Sequence, residues 1–187
     1  MNDPRARSIL TFWFSSGARD KRWFEKDAAF DEAVRSRFLA LHEAAARGEL
    51  MQWREQPDGC LALIVALDQF PRNMFRGTPR AFATDALALE AARHAVAQGY
   101  DRDMRPLERM FVYLPFEHSE SLQDQEKACE LTQPLVAFAE TDDVYRYALA
   151  HRDIIARFGR FPHRNAILGR ASTPEEIDFL KAPGSSF

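Results

Sequence analysis

Apolar residues along this chain recur at intervals of three and four, and few stretches alternate with a period of two. That pattern predicts an all-α protein. Ile9 to Phe14 predicts a short aromatic-rich helix ending near Ser15-Ser16-Gly17, with Trp23-Phe24 packed onto the core from the following turn. Phe30, Val34, Phe38, Leu41 and Ala45 share one face of the next helix, with Asp31, Glu32, Arg35 and Arg37 on others, and Gly48 ends it. Cys60 to Leu67 is apolar on every side, so this helix is expected at the centre, with Asp58 as its cap. Ala81 to Gln98 predicts a helix closed by a left-handed Gly99. Pro106 opens a helix with Leu107, Met110, Phe111 and Leu114 on one face, and Pro115 is expected to stop or kink it. Ser121 with Asp124 has the spacing of a capping box for a helix carrying Ala128, Leu131, Leu135 and Phe138, kinked at Pro134. Thr141 opens a helix with Val144, Ala148, His151, Ile155 and Phe158 on its apolar stripe, and Thr173-Pro174-Glu175-Glu176 starts a last one. The sum is a single helical domain of about eight helices, with loosely ordered ends at residues 1–6 and 182–187.

Composition narrows the function. Hydrophobic residues make up 46% and charged residues 28%, the balance of one globular domain. Fifteen Phe, three Trp and four Tyr predict a bulky core. A net charge of −3 and a pI near 6.0 speak against nucleic-acid binding through a basic face. The N-terminal apolar run is too short for a membrane helix or a signal segment. Cys60 and Cys129 match no metal or redox spacing and read as reduced thiols of a cytoplasmic protein. There is no glycine-rich phosphate loop, HExxH or GxSxG, so no cofactor, metal or covalent nucleophile is expected; Thr78, Ser119, Ser121 and Cys129 are nucleophiles by residue type alone.

Two turns carry most of the candidate chemistry. Gln69-Phe70-Pro71-Arg72-Asn73, followed by Arg76-Gly77-Thr78-Pro79, is partly repeated as Arg160-Phe161-Pro162-His163-Arg164-Asn165, followed by Gly169-Arg170 and Ser172-Thr173-Pro174. Each leaves an apolar helix at a proline, which lacks the N–H needed to continue it. Arginine presents a rigid fork of donors suited to carboxylate or phosphate. In one reading the two turns face a single cleft. Its ligand-binding residues are then Asp68, Gln69, Arg72, Asn73, Arg76, Glu108, Glu120, Arg160, Arg164, Asn165 and Arg170, with Asp68 and Glu108 holding arginines and His163 and Arg164 facing solvent and a ligand. In the other, the arginines cap helix C-termini and pair with Asp68, Glu108 and Asp153, with no ligand. His118, His151, His163 and Glu117 are the candidate acids and bases, with the segment from Glu117 to Glu120 on the cleft's rim. His151 lies on a buried line and serves equally as a core histidine; His118-x-Glu120 matches no metal motif.

Three long segments, ERMFVYLPFEHSESLQDQE from Glu108, LDQFPRNMFRGTPRAFATD from Leu67 and HRDIIARFGRFPHRNAILGRASTPEE from His151, resemble the bacterial family called domain of unknown function 924 (DUF924), as do Phe12-Trp13-Phe14 and Trp23-Phe24. The resemblance spans nearly the whole chain. It implies an α-α superhelix of the tetratricopeptide-like class and no established activity, and the chain lacks the usual tetratricopeptide signature. Two function classes remain open: an enzyme acting on a small anionic substrate, and a non-catalytic helical module that binds an anionic ligand or an acidic peptide of a protein partner.

Overall fold

The structure, a computed structural model, describes residues 3–185, and every regular element among them is helical. Helix α1, Pro4–Trp13, starts early because Pro4 sits in its first turn and the Asp3 carboxylate accepts the Arg5 N–H at 2.9 Å. Trp53 Nε1 also donates to Asp3 at 2.9 Å, and Ala6 is buried. The loose start expected through residue 6 is therefore corrected for residues 3–6. Residues 1, 2, 186 and 187 lie outside the described residues, and Ser185 is tied to the Leu180 carbonyl at 3.2 Å.

Helix α2, Ala28–Ala46, buries Phe30, Val34, Phe38, His42 and Ala45. His42 takes the position expected of Leu41, because its Nδ1–H donates to the Ala66 carbonyl at 2.9 Å. That carbonyl belongs to the central helix, which runs through α3 (Pro57–Ile64), a π-turn (Val65–Gln69) and α4 (Phe70–Met74). Residues 59–71 are all buried, Cys60 to Leu67 as an all-apolar surface requires and Asp68 and Gln69 along with them. Helices α1, α5 (Asp85–Ala97) and α6 (Pro106–Glu117) pack on α3, and α2 packs on α4. Trp13 meets Trp23, Phe30, Phe70 and Phe111 at the middle of this core.

The π-turn has a local cause. Pro71 contributes no N–H to the preceding turn, and the helix widens before it. Side chains then close three successive carbonyls: His42 donates to Ala66, Thr84 Oγ1 to Leu67 at 2.5 Å and Arg72 Nη1 to Asp68 at 2.8 Å. The proline expected to stop this helix therefore reshapes it without ending it.

Helix α5 begins at Asp85 after a 3-10 turn, Pro79–Phe82, later than the expected Ala81, and Gly99 follows in the left-handed conformation at φ 69. Helix α6 continues past Pro115 to Glu117, since the lost bond falls in its last turn. Helix α7, Leu122–Thr132, gives way before Pro134 to a 3-10 turn, Gln133–Ala137, in place of a kink. The Ser121–Asp124 box does not form; Ser119 Oγ donates to Asp124 instead. Helix α8, Val144–Phe158, starts after Thr141, whose hydroxyl is bound to the Leu135 carbonyl, and Gly159 at φ 67 ends it. Helix α9, Pro174–Phe179, carries the expected capping box of Thr173 and Glu176. Helix α5 packs on α6, α6 on α7 and α7 on α8. No described helix is long and apolar enough to cross a membrane.

Candidate functional site

The π-turn and the end of α6 converge at one point. Asp68, wholly buried in the π-turn, accepts a 2.8 Å hydrogen bond from His118, the residue that ends α6. Gln69 Nε2 donates to the other carboxylate oxygen at 2.6 Å, and Arg72 Nη1 lies 3.4 Å from the first. Burial alone would raise the Asp68 pKa, but Arg72 and His118 outweigh it and hold the carboxyl well below its usual range. An ionised carboxylate only accepts, so the proton of His118 sits on Nδ1 and Nε2 keeps its lone pair. Burial and the neighbouring Arg72 lower the pKa of His118 against the pull of Asp68, so its ring is neutral near pH 7.

Asp85, in the first turn of α5, joins the two Phe-Pro turns. Arg72 grips it through two bonds of 2.7 and 3.0 Å, and Arg164 Nη1 reaches it at 3.4 Å. Arg164 also donates to the His118 carbonyl at 3.1 Å. Its guanidinium lies over the rings of Phe82 and Phe161, 4.7 and 4.5 Å from their centroids. It is buried, 6% exposed, which corrects the expectation that it faces solvent. Its Nε finds no acceptor, and burial together with Arg72 lowers its pKa to about 10.

These groups line a cavity of about 630 Å³. Gln69, Arg72, Asn73 and Arg76 reach it from the first turn, His163 and Arg164 from the second, Glu117 and His118 from α6, and His151 from α8. Asp68 stands directly behind His118. Glu117 is no rim residue: it is 2% exposed, and burial with the nearby Asp68 charge raises its pKa to about 8. His151 Nδ1–H donates to the Tyr147 carbonyl at 2.8 Å and lies 3.6 Å from Glu117; burial lowers its pKa to about 3. His163 is pushed down to about 4 by burial and by Arg164.

The other expected residues hold the structure together away from the cavity lining. Glu108 pairs with Arg105 at the start of α6 and holds no arginine of the turns. Asp153 pairs with Arg152 on the surface. Arg160 bonds Glu176, Asn165 bonds Ser172 and Glu176, and Arg170 grips Glu120 through two bonds. Glu120 also accepts the Phe161 N–H at 2.8 Å, and Phe161 packs with Ile154 and Ile155 in a small separate core. This second set shapes the turn that presents His163 and Arg164. Arg76, which does line the cavity, is bound by Asp31 at 2.6 and 3.0 Å, and Asn73 donates to the same carboxylate.

Asp31, Thr84, Asp85, Phe82 and the lining residues Arg19, Lys21 and Phe24 were not among the expected site residues. A signal for the two aspartates existed: buried arginines require carboxylates, and both Asp31 and Asp85 stand in the first turn of a helix. Among the described residues no three His, Cys, Asp or Glu side chains converge as a metal site would need, and Cys60 and Cys129 are free and buried.

A solved structure of a protein of unknown function from Agrobacterium tumefaciens superposes with a TM-score of 0.87 at 48% identity, over 94% of this chain and 96% of that one. No curated protein matches the chain. The profile of the family described as bacterial protein of unknown function (DUF924) matches residues 9–184. The chain belongs to the DUF924 family.

Proposed function

We propose that the cavity binds a small anionic ligand and that His118 serves as its proton acceptor, with Arg72 and Arg164 as the cationic wall. One observation carries this reading: the His118 ring is oriented by a 2.8 Å bond to a wholly buried, ionised carboxylate and lines the same cavity as Arg164. A carboxylate behind a histidine fixes its tautomer and stabilises the imidazolium formed when it takes a proton. Glu117, next in the chain, is protonated near neutral pH. Two neighbouring groups whose proton affinities are driven apart have the form of a base and its acid. A cavity that gathers three histidines with arginines favours this enzyme-like reading over an open peptide groove. The successive packing of α5 to α8 supports a tetratricopeptide-like description of the fold, and the two free thiols support a cytoplasmic setting.

The test uses the five histidines as reporters. Imidazole ¹H–¹⁵N spectra recorded during titration with acetate, and separately with inorganic phosphate, should move the signals of His118, His151 and His163. Those of His42 and His94, outside the lining, should stay in place. Equal movement of all five, or none, contradicts the site.

A further inference from the structure

The cavity is larger and more apolar than a bare inorganic anion needs. At about 630 Å³ it falls in the size range of organic-ligand sites, roughly 300–1,000 Å³. Met110 and Leu114 of α6 and Val144 of α8 contribute apolar side chains. Phe24 and Tyr147 also line it, yet they are 47% and 42% exposed. That is aromatic surface which water covers and which an apolar ligand would release.

The charges limit the other end of the ligand. Arg76 is paired with Asp31, Arg19 with Asp143, and Arg72 with Asp85. Arg164 has only a 3.4 Å share of Asp85, and its Nε has no acceptor, so it is the least compensated of these cations. Within the buried wall, Asp68 and Asp85 already balance Arg72 and Arg164. Each added negative charge therefore enters a wall with little net charge to meet it, and a dianion carries twice that cost. A single carboxylate near Arg164 supplies the acceptor that its Nε lacks.

We infer that the cavity's ligand class is an organic monocarboxylate with an apolar body, its carboxylate toward Arg164 and its body along the Phe24, Leu114 and Tyr147 side. This rests on the anion-site reading above and adds the ligand's class to it.

Dissociation constants for acetate, hexanoate and inorganic phosphate, read from the same imidazole signals, test it. Hexanoate should bind at least tenfold tighter than acetate and tighter than phosphate, because its methylenes cover apolar wall. Phe24→Ser and Tyr147→Ser, both at exposed positions, should each cut the hexanoate-to-acetate ratio threefold or more. Equal affinity for acetate and hexanoate, or tighter binding of phosphate, overturns the monocarboxylate class while leaving the anion site standing. Failure of all three probes to move any cavity histidine removes both.

Discussion

Asp85 serves two guanidiniums at once, and its replacement separates pairing from stacking. Asp85→Asn leaves Arg72 and Arg164 without their shared counter-ion and should cost ~3 kcal/mol, the scale for breaking a buried ion pair. Arg164→Ala leaves Asp85 bound to Arg72 and loses the His118 carbonyl bond, a 3.4 Å share of Asp85 and the two ring contacts, so it should cost less, about 2 kcal/mol. Urea unfolding of both variants checks the order. Protonation at the cavity gives a second residue-scale prediction. Burial lowers the pKa of His151 to about 3 and, with Arg164, that of His163 to about 4, against an ordinary 6.5. Below pH 6.5 the unfolded chain takes up protons that the folded one refuses, so stability should fall steadily between pH 6.5 and about 3, with no such loss above that window. Glu117 acts in the opposite sense. Its folded pKa of about 8 stands above its ordinary 4.5, so the folded protein holds a proton the unfolded chain releases; its contribution to stability declines as pH rises between those values and opposes the histidines below pH 6.5, so the decline shows between about pH 6.5 and 8. Glu117→Gln should remove that decline, with a gain at pH 8 on the order of a few kcal/mol. A thermal midpoint for the variant that falls as steeply as the wild type's over this range would contradict a buried, neutral Glu117. Much of this was legible in the residues: an aspartate leaving an all-apolar helix demanded a partner, and Arg72 lies beside it. His118 as its second partner was not legible, because the two are 50 positions apart and only packing of α6 on the central helix unites them.

The central helix and its π-turn are the element on which the site depends. Leu63 is fully buried there, so Leu63→Ala should cost ~2–5 kcal/mol in chemical unfolding; a few tenths would mean the helix is not central. Thr84→Val keeps the shape but leaves the Leu67 carbonyl buried without its donor, at a cost of ~1–3 kcal/mol. Because that carbonyl adjoins Asp68, the same variant should also shift the His118 imidazole signal, and an unmoved signal would separate the π-turn from the site. The helices themselves could be read from the sequence because their apolar spacing and caps are local. The effects of Pro71, Pro115 and Pro134 were less legible. A proline removes one donor, but whether the helix widens, continues or ends depends on what else reaches the freed carbonyl. At Leu67 this is Thr84, which no local pattern announces.

At the scale of the whole molecule, one fold brings together two similar turns far apart in the chain and gives them different work. The first lines the cavity directly. The second divides: His163 and Arg164 face or border the cavity, while Arg160, Asn165 and Arg170 bind Glu176 and Glu120 to hold the turn's shape. The repeat in sequence therefore pointed to residues that line one cavity but could not separate these from the residues that support them, since both sets have the same residue types. The most direct test of the central claim is a crystal structure of the protein with 4-bromobenzoate, whose bromine is located independently by its anomalous signal. The predicted result is a single strong bromine peak inside the cavity on the Leu114 and Tyr147 side, with the carboxylate beside Arg164 and His118. A bromine peak only outside the cavity, or a carboxylate turned away from Arg164 and His118, would contradict the account.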